Sequence, residues 1–373
     1  MKILQLIDVE GHLGDAIRIS KIHGKLKEYG ADVTVVNVKE FHRPLIKLVA
    51  HPFLFACLSL GGLFHYRLGR SYLLAKLCEF AIERAIRELK PDVVWCEGEF
   101  LAGAVTDRCQ KHGLPLVTDV HGLGTAEYCE NTFTNHVAER CEYLHEIEQN
   151  AIDKSHMLIT VSSAMDEYFL RHGARREQLV RIPNGAEPQS NRAAFKKPLK
   201  VIYGGGFTFW EDVDSFLDAG KLANGTQFYL AGAGYLERHL ASRIKDENIK
   251  IHYLGSIRRD KILEMFADMQ VGLAPSVDGV TRRVACPIKV FDYLACGLPV
   301  VTPDFGEWAT VVKENRCGIV TERSTGEQFH QALQQLSDRE TWEEMSDNAV
   351  VLIENEWNWD KLLEPVSDIL KSL

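Results

Sequence analysis

Residues 284–301 read VACPIKVFDYLACGLPVV, and this is the most informative stretch of the sequence. Pro287 is typical of a helix start and Gly297 of a helix end, and the apolar residues after Gly297 are typical of a buried strand. Lys289 and Asp292 stand three positions apart, so a helix places them on one face. Such a pair can hold an anion with the ammonium and a vicinal diol with the carboxylate. The alternative interpretation is a salt bridge on the protein surface.

Apolar runs of strand length recur on both sides of this stretch and alternate with amphipathic helical patterns. The predicted strands are Lys2–Ile7, Asp32–Val36, Asp92–Cys96, Leu116–Val120, Met157–Val161, Leu179–Ile182, Lys200–Tyr203, Gln227–Ala231, Ile249–Leu254, Gln270–Ala274, Pro299–Thr302 and Gly318–Thr321. The predicted helices include Ala16–Tyr29, Tyr72–Leu89 and Ala138–Ile152. Strands that are apolar on both faces, with helices between them, predict parallel sheets covered on both sides.

The strand and helix alternation stops once, at Pro183-Asn184-Gly185, and the following residues 186–198 are polar and carry two more prolines. We interpret this segment as a linker between two domains, 1–187 and 188–355. The fold class is therefore α/β, with two doubly wound, Rossmann-like domains. Ligands of such sheets bind beyond the carboxyl ends of the strands, so two facing domains would enclose a cleft.

Composition excludes several classes of protein. The chain has 373 residues and a net charge of −9, whereas a general nucleic-acid binder carries a basic excess. The nine cysteines are scattered without a CxxC pair, which favours free thiols in a reducing compartment. The first apolar run ends at Asp8 without a cleavage-site pattern, so it is typical of a strand and not of a signal peptide. We therefore expect a cytoplasmic protein without a nucleic-acid partner.

Two glycine-rich turns follow predicted strands, but neither has the spacing of a dinucleotide fingerprint. The first, with Gly11 and Gly14, is GxxG, and in the second Glu237 stands where a third glycine is needed after Gly232 and Gly234. These glycines either let a ligand approach the backbone or only shape a tight turn. A P-loop motif and metal-binding spacings are also missing, so we expect no cofactor and no metal.

The pattern PxKxFDYLAxGxPVV resembles the nucleotide-sugar motif of the GT-B glycosyltransferases of family 4 (glycosyl transferases group 1). The usual form there is PxKxxEYxAxGxPVV, or more broadly a helix with two glutamates at E-x7-E spacing. Further matches follow in the order of the family: His121-Gly122, IPNG at 182–185, LAGAG at 230–234 and YLGS at 253–256. The resemblance implies the GT-B fold, with the tail, residues 356–373, packing back on the N-terminal domain.

The resemblance also implies a donor site. Asp292 takes the position of the glutamate that binds the donor ribose, and Lys289 that of a lysine that contacts the donor phosphates. Backbone groups at Gly11 and Gly14 would face the donor from the N-terminal domain. The matched strand ends of the C-terminal domain complete the donor site with Gly205, Gly206, Gly234 and Ser256.

The sequence departs from the family pattern at three positions. Gly206 and Glu211 stand where the family has an arginine and a lysine, and Val284 replaces the first glutamate of E-x7-E. The diphosphate charge must then be neutralised by other cations, and the candidates are Lys289 with Arg282 and Arg283. The alternative interpretation of the two arginines is that they are solvated loop charges.

The resemblance implies an enzyme that moves a sugar from a UDP- or GDP-sugar to a hydroxyl acceptor, with retention of configuration. We predict that His121 contacts the donor sugar and that Glu99 is an acid on the acceptor side. A histidine that only packs in a turn is the alternative for His121. Two other functions stay open: a catalytically silent subunit that binds a nucleotide sugar, and another GT-B enzyme such as an epimerase.

One window, residues 41–76, is basic and apolar in this acidic chain. It contains five lysines and arginines and no acidic residue, and Leu48–Tyr66 is 19 residues without a formal charge. That is close to the roughly 20 residues that span a bilayer, but Pro52 and the pair Gly61-Gly62 would break a helix. We expect peripheral binding to an anionic membrane at its inner face, which would bring the enzyme to a lipid-linked saccharide. The alternative is a buried helical hairpin.

Overall fold

Two parallel six-stranded sheets organise the chain, each in a unit of its own. The computed structural model describes residues 1–8, 14–38, 79–131, 138–223 and 225–373. The first unit comprises Met1–Ile182 and Leu363–Leu373, and the second comprises Pro183–Leu362. The window 41–76 lies outside the described residues.

The sheet of the first unit has the strand order β2-β1-β3-β4-β5-β6. Its strands are β1 (Lys2–Ile7), β2 (Asp32–Asn37), β3 (Val93–Glu97), β4 (Leu116–Asp119), β5 (Met157–Thr160) and β6 (Leu179–Arg181). Its helices are α1 (Gly14–Glu28), α2 (Glu79–Leu89), α3 (Glu99–His112), α4 (Gly124–Glu130), α5 (Ala138–Lys154) and α6 (Ser163–Arg171), with a short 3-10 turn at Arg176–Gln178. The described strands β3, β4 and β5 are buried along their whole length, as strands covered on both faces must be.

The sheet of the second unit has the order β12-β11-β10-β7-β8-β9. Its strands are β7 (Lys200–Gly204), β8 (Gln227–Ala231), β9 (Ile251–Gly255), β10 (Val271–Leu273), β11 (Val300–Pro303) and β12 (Gly318–Thr321). Its helices are α7 (Val213–Leu222), α8 (Glu237–Asp246), α9 (Arg259–Phe266), α10 (Val280–Arg283), α11 (Ile288–Ala295), α12 (Glu307–Glu314), α13 (Gly326–Gln335), α14 (Arg339–Asn355) and α15 (Trp359–Leu362). Phe207, Phe216, Phe228 and Phe329 lie at the centre of its core.

The predicted fold is confirmed. Every predicted strand is present, and no end differs from its predicted position by more than two residues. The stretch 284–301 forms α11 and leads into β11, as its proline, glycine and apolar run indicated. The predicted helix Tyr72–Leu89 is described only from Glu79 onwards. Across the described residues, no helix is both long and apolar enough to cross a membrane.

The units divide at Ile182 and not at the predicted residue 187. The Ala186 amide donates to the Trp357 carbonyl (3.1 Å), and Gly185 packs against Leu362, so this stretch belongs with the end of the second unit. The last helix, α16 (Pro365–Ser372), belongs to the first unit and packs on α1, burying Val366. The predicted return of the C-terminal helix to the N-terminal domain is therefore confirmed, but it begins at Leu363 and not at the predicted residue 356, because residues 356–362 stay with the second unit.

The expectation of free thiols is wrong for one pair of cysteines. Cys129 at the end of α4 and Cys141 in α5 form a disulfide, because the two helices are neighbours and bring the Cα atoms to 6.2 Å. The sequence alone does not reveal this pairing, since α5 begins beyond a stretch without strand or helix periodicity. The free cysteines of the described chain are buried: Cys96, Cys109, Cys286, Cys296 and Cys317.

Candidate functional site

A cluster of three buried charges lies at the carboxyl edge of the second sheet. Lys289, in the first turn of α11, pairs with Glu211 at 2.7 Å between Nζ and Oε2. Arg282 of α10 approaches the other oxygen of Glu211, with 3.7 Å between Nη2 and Oε1. The side chains of Lys289 and Glu211 are 14% and 5% exposed, so the cluster is nearly closed to water. It carries two positive charges and one negative charge.

Aromatic side chains and a hydroxyl fix the two cations. Lys289 lies over the ring of Tyr203, at 4.5 Å from its centre, and donates to the phenol oxygen at 3.2 Å. Arg282 lies over the ring of Trp308 and donates from Nε to Ser276 Oγ at 2.8 Å. Burial lowers the pKa of Lys289, and Glu211 opposes this shift. The arrangement holds both cations in place before any ligand arrives.

Gly205 follows β7 directly beside this cluster. A Cβ atom at this position would lie 2.8 Å from the Lys289 ammonium, so any other residue would displace the lysine. Gly206 accepts a hydrogen bond from the Tyr203 hydroxyl through its carbonyl (2.6 Å). Gly234 packs against the Phe207 backbone. The predicted glycines therefore shape the strand ends around the cluster.

Asp292 faces a different partner. Its carboxylate forms two bonds to the Arg259 guanidinium, at 2.5 and 2.6 Å, and the side chain is 9% exposed. Burial raises the pKa of Asp292, and Arg259 opposes this shift. The interpretation of Lys289 and Asp292 as one surface salt bridge is wrong, because each is buried and paired with a residue from another element.

Of the remaining predicted donor residues, Arg283 lies outside the cluster. Arg283 is 58% exposed and pairs with Asp278 at 2.7 Å, whereas its neighbour Arg282 points into the cluster. The structure thus separates the two arginines, and the interpretation as a solvated charge fits Arg283. Ser256 is exposed after β9. Gly14 begins α1, and Gly11 lies outside the described residues.

The first unit has a pocket of about 230 Å³ at the carboxyl edge of its own sheet. His121 follows β4 and lines it, together with Glu97 at the end of β3 and Glu99 at the start of α3. Gly98 between the two glutamates has a φ of 84°, which favours glycine and lets the strand turn at once into the helix. The two predicted residues, His121 and Glu99, are therefore brought together.

Charged partners surround His121. Its Nδ1 lies 3.3 Å from Asp15 Oδ1, and its Nε2 lies 4.0 Å from Glu97 Oε2. Burial would lower the pKa of His121, but Asp15, Asp119 and Glu97 raise it to about 9. Behind it, the fully buried Asp119 accepts three bonds from Arg18 that hold the end of β4 in place. The neighbouring carboxyl groups therefore favour the protonated imidazolium form of His121.

Two of the glutamates that line the pocket, Glu97 and Glu99, have raised pKa values. Burial is the main cause that raises the pKa of Glu97 to about 8, and the negative charge of Asp119 adds to it. Burial and Glu148 raise the pKa of Glu99 to about 8, although the Gly124 amide donates to its carboxylate at 2.7 Å. Shifted carboxyl groups in a pocket are typical of functional sites. Nowhere in the described residues do three His, Cys, Asp or Glu side chains converge as a metal site.

Comparisons with known proteins identify the family. The model of the glycosyl transferase 4-like domain matches residues 22–185, and that of glycosyl transferases group 1 matches residues 198–339. Together they span most of the chain, and the gap between them falls within the linker. The chain belongs to the GT-B glycosyltransferases of the family 4 type.

Relatives of this glycosyltransferase are distant. A chitobiosyldiphosphodolichol beta-mannosyltransferase from Candida albicans is 26% identical over 192 residues, which are 44% of this chain and 41% of that protein. Sucrose-phosphate synthase from Thermosynechococcus elongatus shares the fold with a TM-score of 0.76 at 14% identity, over 100% and 98% of the two chains. HepE from Anabaena, in complex with UDP-glucose, gives a TM-score of 0.71 at 16% identity over all of both chains.

Several residues of these two sites are not evident from the sequence of the glycosyltransferase. Glu211 stands where the family has a lysine, and sequence reasoning treats it only as a loss, whereas it pairs with both cations. Arg259, the partner of Asp292, begins α9 and matches no motif. Glu97 gives one available signal, because it ends a buried strand two residues before Glu99.

Proposed function

We propose that this glycosyltransferase binds the diphosphate of its nucleotide sugar with Arg282 and Lys289, and transfers the sugar with retention to a hydroxyl of a lipid-linked saccharide. The observation that carries the donor assignment is the buried cluster at the strand ends of the second sheet, with one positive charge in excess. Ligands of parallel α/β sheets bind at this edge. Asp292, with Arg259, is assigned to the ribose.

The cluster can stabilise the departing nucleoside diphosphate electrostatically. Cations that are held before the reaction cost no reorganisation when negative charge develops on the leaving group. Lys289 also lies in the first turn of α11, where the backbone N–H groups and the helix dipole favour an anion. The phosphates would share Lys289 with Glu211, so Glu211 would compete with the phosphates for this lysine.

Two of the similar proteins support the finer parts of the proposal. HepE, which shares the fold of this chain, forms a complex with UDP-glucose, and the name of the Candida enzyme describes a lipid-linked acceptor. His121 is assigned to the donor sugar and Glu99 to the acceptor side, because both line the same pocket of the first unit.

Nucleotide binding by the full chain tests the donor assignment. Thermal-shift screening of UDP, GDP and ADP with their sugars identifies the base. The variants Arg282→Met and Lys289→Met should then weaken the binding of the nucleoside diphosphate by about 10-fold or more. The affinity for the bare nucleoside should be nearly unchanged. Arg283→Met is the matched control, because its side chain pairs with Asp278 outside the cluster. Equal losses for both ligands would contradict a phosphate role.

The reaction itself has two further tests. Slow hydrolysis of the nucleotide sugar without acceptor distinguishes an enzyme from a silent subunit, which shows binding alone. The anomeric proton signal of the first product, measured by NMR before it equilibrates, reports retention or inversion. An inverted product would refute the retaining mechanism and leave the donor site intact.

The membrane part of the proposal rests on the composition of residues 41–76. We expect the protein to co-sediment with anionic vesicles at low salt and not with neutral ones. Polar replacements of Phe53, Leu54 and Phe55, or Arg67→Glu with Arg70→Glu, should weaken this binding. Failure of the unchanged protein to co-sediment at low salt would favour an acceptor that is free in solution.

A further inference from the structure

Carboxyl groups dominate the lining of the pocket in the first unit. Among the side chains that line it, carboxyl groups outnumber basic groups: Asp8, Asp15, Glu97, Glu99 and Glu127 face the single imidazole of His121. Arg18 is nearby, but it is fully engaged by Asp119 and the Ile182 carbonyl. The lining therefore favours a cationic ligand over an anionic one.

Glu97 is the group that points to a ligand. Its side chain is 2% exposed, and its Oε1 accepts a bond from Gln5 Nε2 at 2.9 Å. Its Oε2 accepts no hydrogen bond from any described residue, although this oxygen is buried and Glu97 lines the pocket. His121 Nε2 lies 4.0 Å away, which is close enough for an ion pair but beyond hydrogen-bond distance. A buried carboxyl oxygen without a hydrogen-bond partner is costly in either protonation state, and a bound polar group would remove that cost.

The geometry leaves room for a small cation. The Glu127 carboxylate lies over Gly122, where a Cβ atom would be 2.8 Å from Oε1, so the pocket wall at Gly122 also carries a carboxyl group. A volume of about 230 Å³ accommodates part of one sugar ring and its substituents. A neutral hydroxyl could satisfy Glu97, but only a cation also gains from the negative charge around it.

We propose that this pocket binds an ammonium group of the acceptor, so that the enzyme transfers its sugar to an amino sugar or a similarly amine-bearing saccharide. The proposal rests on the proposed function, because it specifies the acceptor of that reaction. Glu97 and Asp15 would accept charge-assisted hydrogen bonds from the ammonium, and Glu127, which also lines the pocket, would contribute its charge.

Proton linkage provides a specific signature of this binding. The titratable groups that face Glu97 and its neighbours are Asp8 after β1, Asp15 and Arg18 of α1, Asp119 and His121 of β4 and the turn after it, Glu99 of α3, Glu127 of α4 and Glu148 of α5. Glu97 holds a proton at neutral pH in the ligand-free protein, since its pKa is about 8. A cation at its Oε2 would take the place of that proton. Binding should therefore release protons to the buffer.

The test compares glucosamine with N-acetylglucosamine, which has the same ring and no positive charge. Titration calorimetry of the full-length protein at about pH 6.5, in two buffers of different ionisation enthalpy, gives both affinity and proton release. We expect glucosamine to bind at least about tenfold more tightly, with proton release. Equal affinities would overturn the proposal.

Variants separate a specific role from a general effect of charge. Glu97→Gln and Asp15→Asn should each remove most of the preference, whereas Glu146→Gln, an exposed carboxylate of α5, should keep it. Asp15 is more than half exposed, so its variant tests the proposal even if Glu97→Gln does not fold. A preference that survives in Asp15→Asn and in a folded Glu97→Gln would refute it. Binding of the nucleoside diphosphate is measured in parallel. If the unchanged protein does not bind it, the donor site is refuted. If the unchanged protein binds it but shows no preference for glucosamine, only the acceptor assignment is refuted.

Discussion

Replacement of Glu211 by glutamine tests whether a carboxylate restrains the donor site. Glu211 lies between Lys289 and Arg282, 2.7 Å from one and 3.7 Å from the other, and only 6% of the residue is exposed. In the ligand-free protein it compensates two buried cations. Once phosphates are bound it opposes them, because it competes for the same cations. The variant Glu211→Gln should therefore fold less stably and bind a nucleoside diphosphate more tightly.

Both magnitudes follow from the distances. With an effective dielectric constant of about 20, the two attractions are worth about 6 and about 4 kcal/mol before desolvation is subtracted. Removal of one partner from a buried ion pair costs about 3–5 kcal/mol in practice. Lys289 can avoid part of this cost by losing its proton, since burial already lowers its pKa. The loss of stability should therefore shrink as the pH rises toward the ordinary lysine pKa of about 10.4.

The gain in affinity corresponds to about one charge-assisted hydrogen bond, or about 1.5–3 kcal/mol, which is roughly 10- to 100-fold in Kd. Urea denaturation gives the stability of the ligand-free protein, and titration calorimetry with UDP or GDP gives the affinity. Glu264→Gln on the exposed surface of α9 is a matched control for loss of one charge. Weaker nucleotide binding by Glu211→Gln would refute the reasoning, because Glu211 would then contact the donor favourably.

Three further predictions follow from the same structure. Asp292→Asn should weaken nucleoside diphosphate binding by about 1–3 kcal/mol in calorimetry and also lower stability, because Arg259 loses its bidentate partner; unchanged affinity would exclude the ribose role. Protonated His121 stabilises the fold fully below its ordinary pKa of about 6.5, and this contribution disappears as the pH rises through about 9. The unfolding free energy of His121→Gln should therefore decrease less between these two pH values than that of the unchanged protein. An equal slope in the variant would count against the ion pairs around the imidazole. Cys129→Ser should lower the unfolding free energy by about 2–3 kcal/mol without reductant and have little effect when reductant is present. If the variant and the unchanged protein melt identically without reductant as well as with it, the disulfide is contradicted.

The sequence predicts the scaffold well because its signals are local. A run such as Gln227–Ala231 is apolar and bounded by turn residues, and the strand occupies those same residues. The helix and strand in 284–301 follow from a proline, a glycine and periodicity within 18 residues. Hydrophobic patterning of this kind needs no knowledge of distant parts of the chain.

The partners within the two sites are less predictable because they come from distant positions. Lys289 and Asp292 belong to the same motif, but their partners do not. Lys289 pairs with Glu211 and Asp292 pairs with Arg259, and these partners come close to the motif only when the sheet forms. Which of two adjacent arginines enters the cluster depends on the orientation of the short helix α10 and not on composition. The position of the buried Glu97 oxygen depends in the same way on the turn at Gly98.

The assignment of α16 to the first unit has a consequence for biosynthesis. The chain leaves that unit after Ile182, completes the whole second unit and returns at Leu363. During translation, the surface of α1 that contacts α16 therefore stays uncovered by that helix until the last residues of this sequence have left the ribosome. A fragment ending at Ile182 would expose the surface that buries Val366 and Ile369, and would be a client for chaperones. Swapping N-terminal domains between related enzymes should succeed only when the matching C-terminal helix is transferred with them.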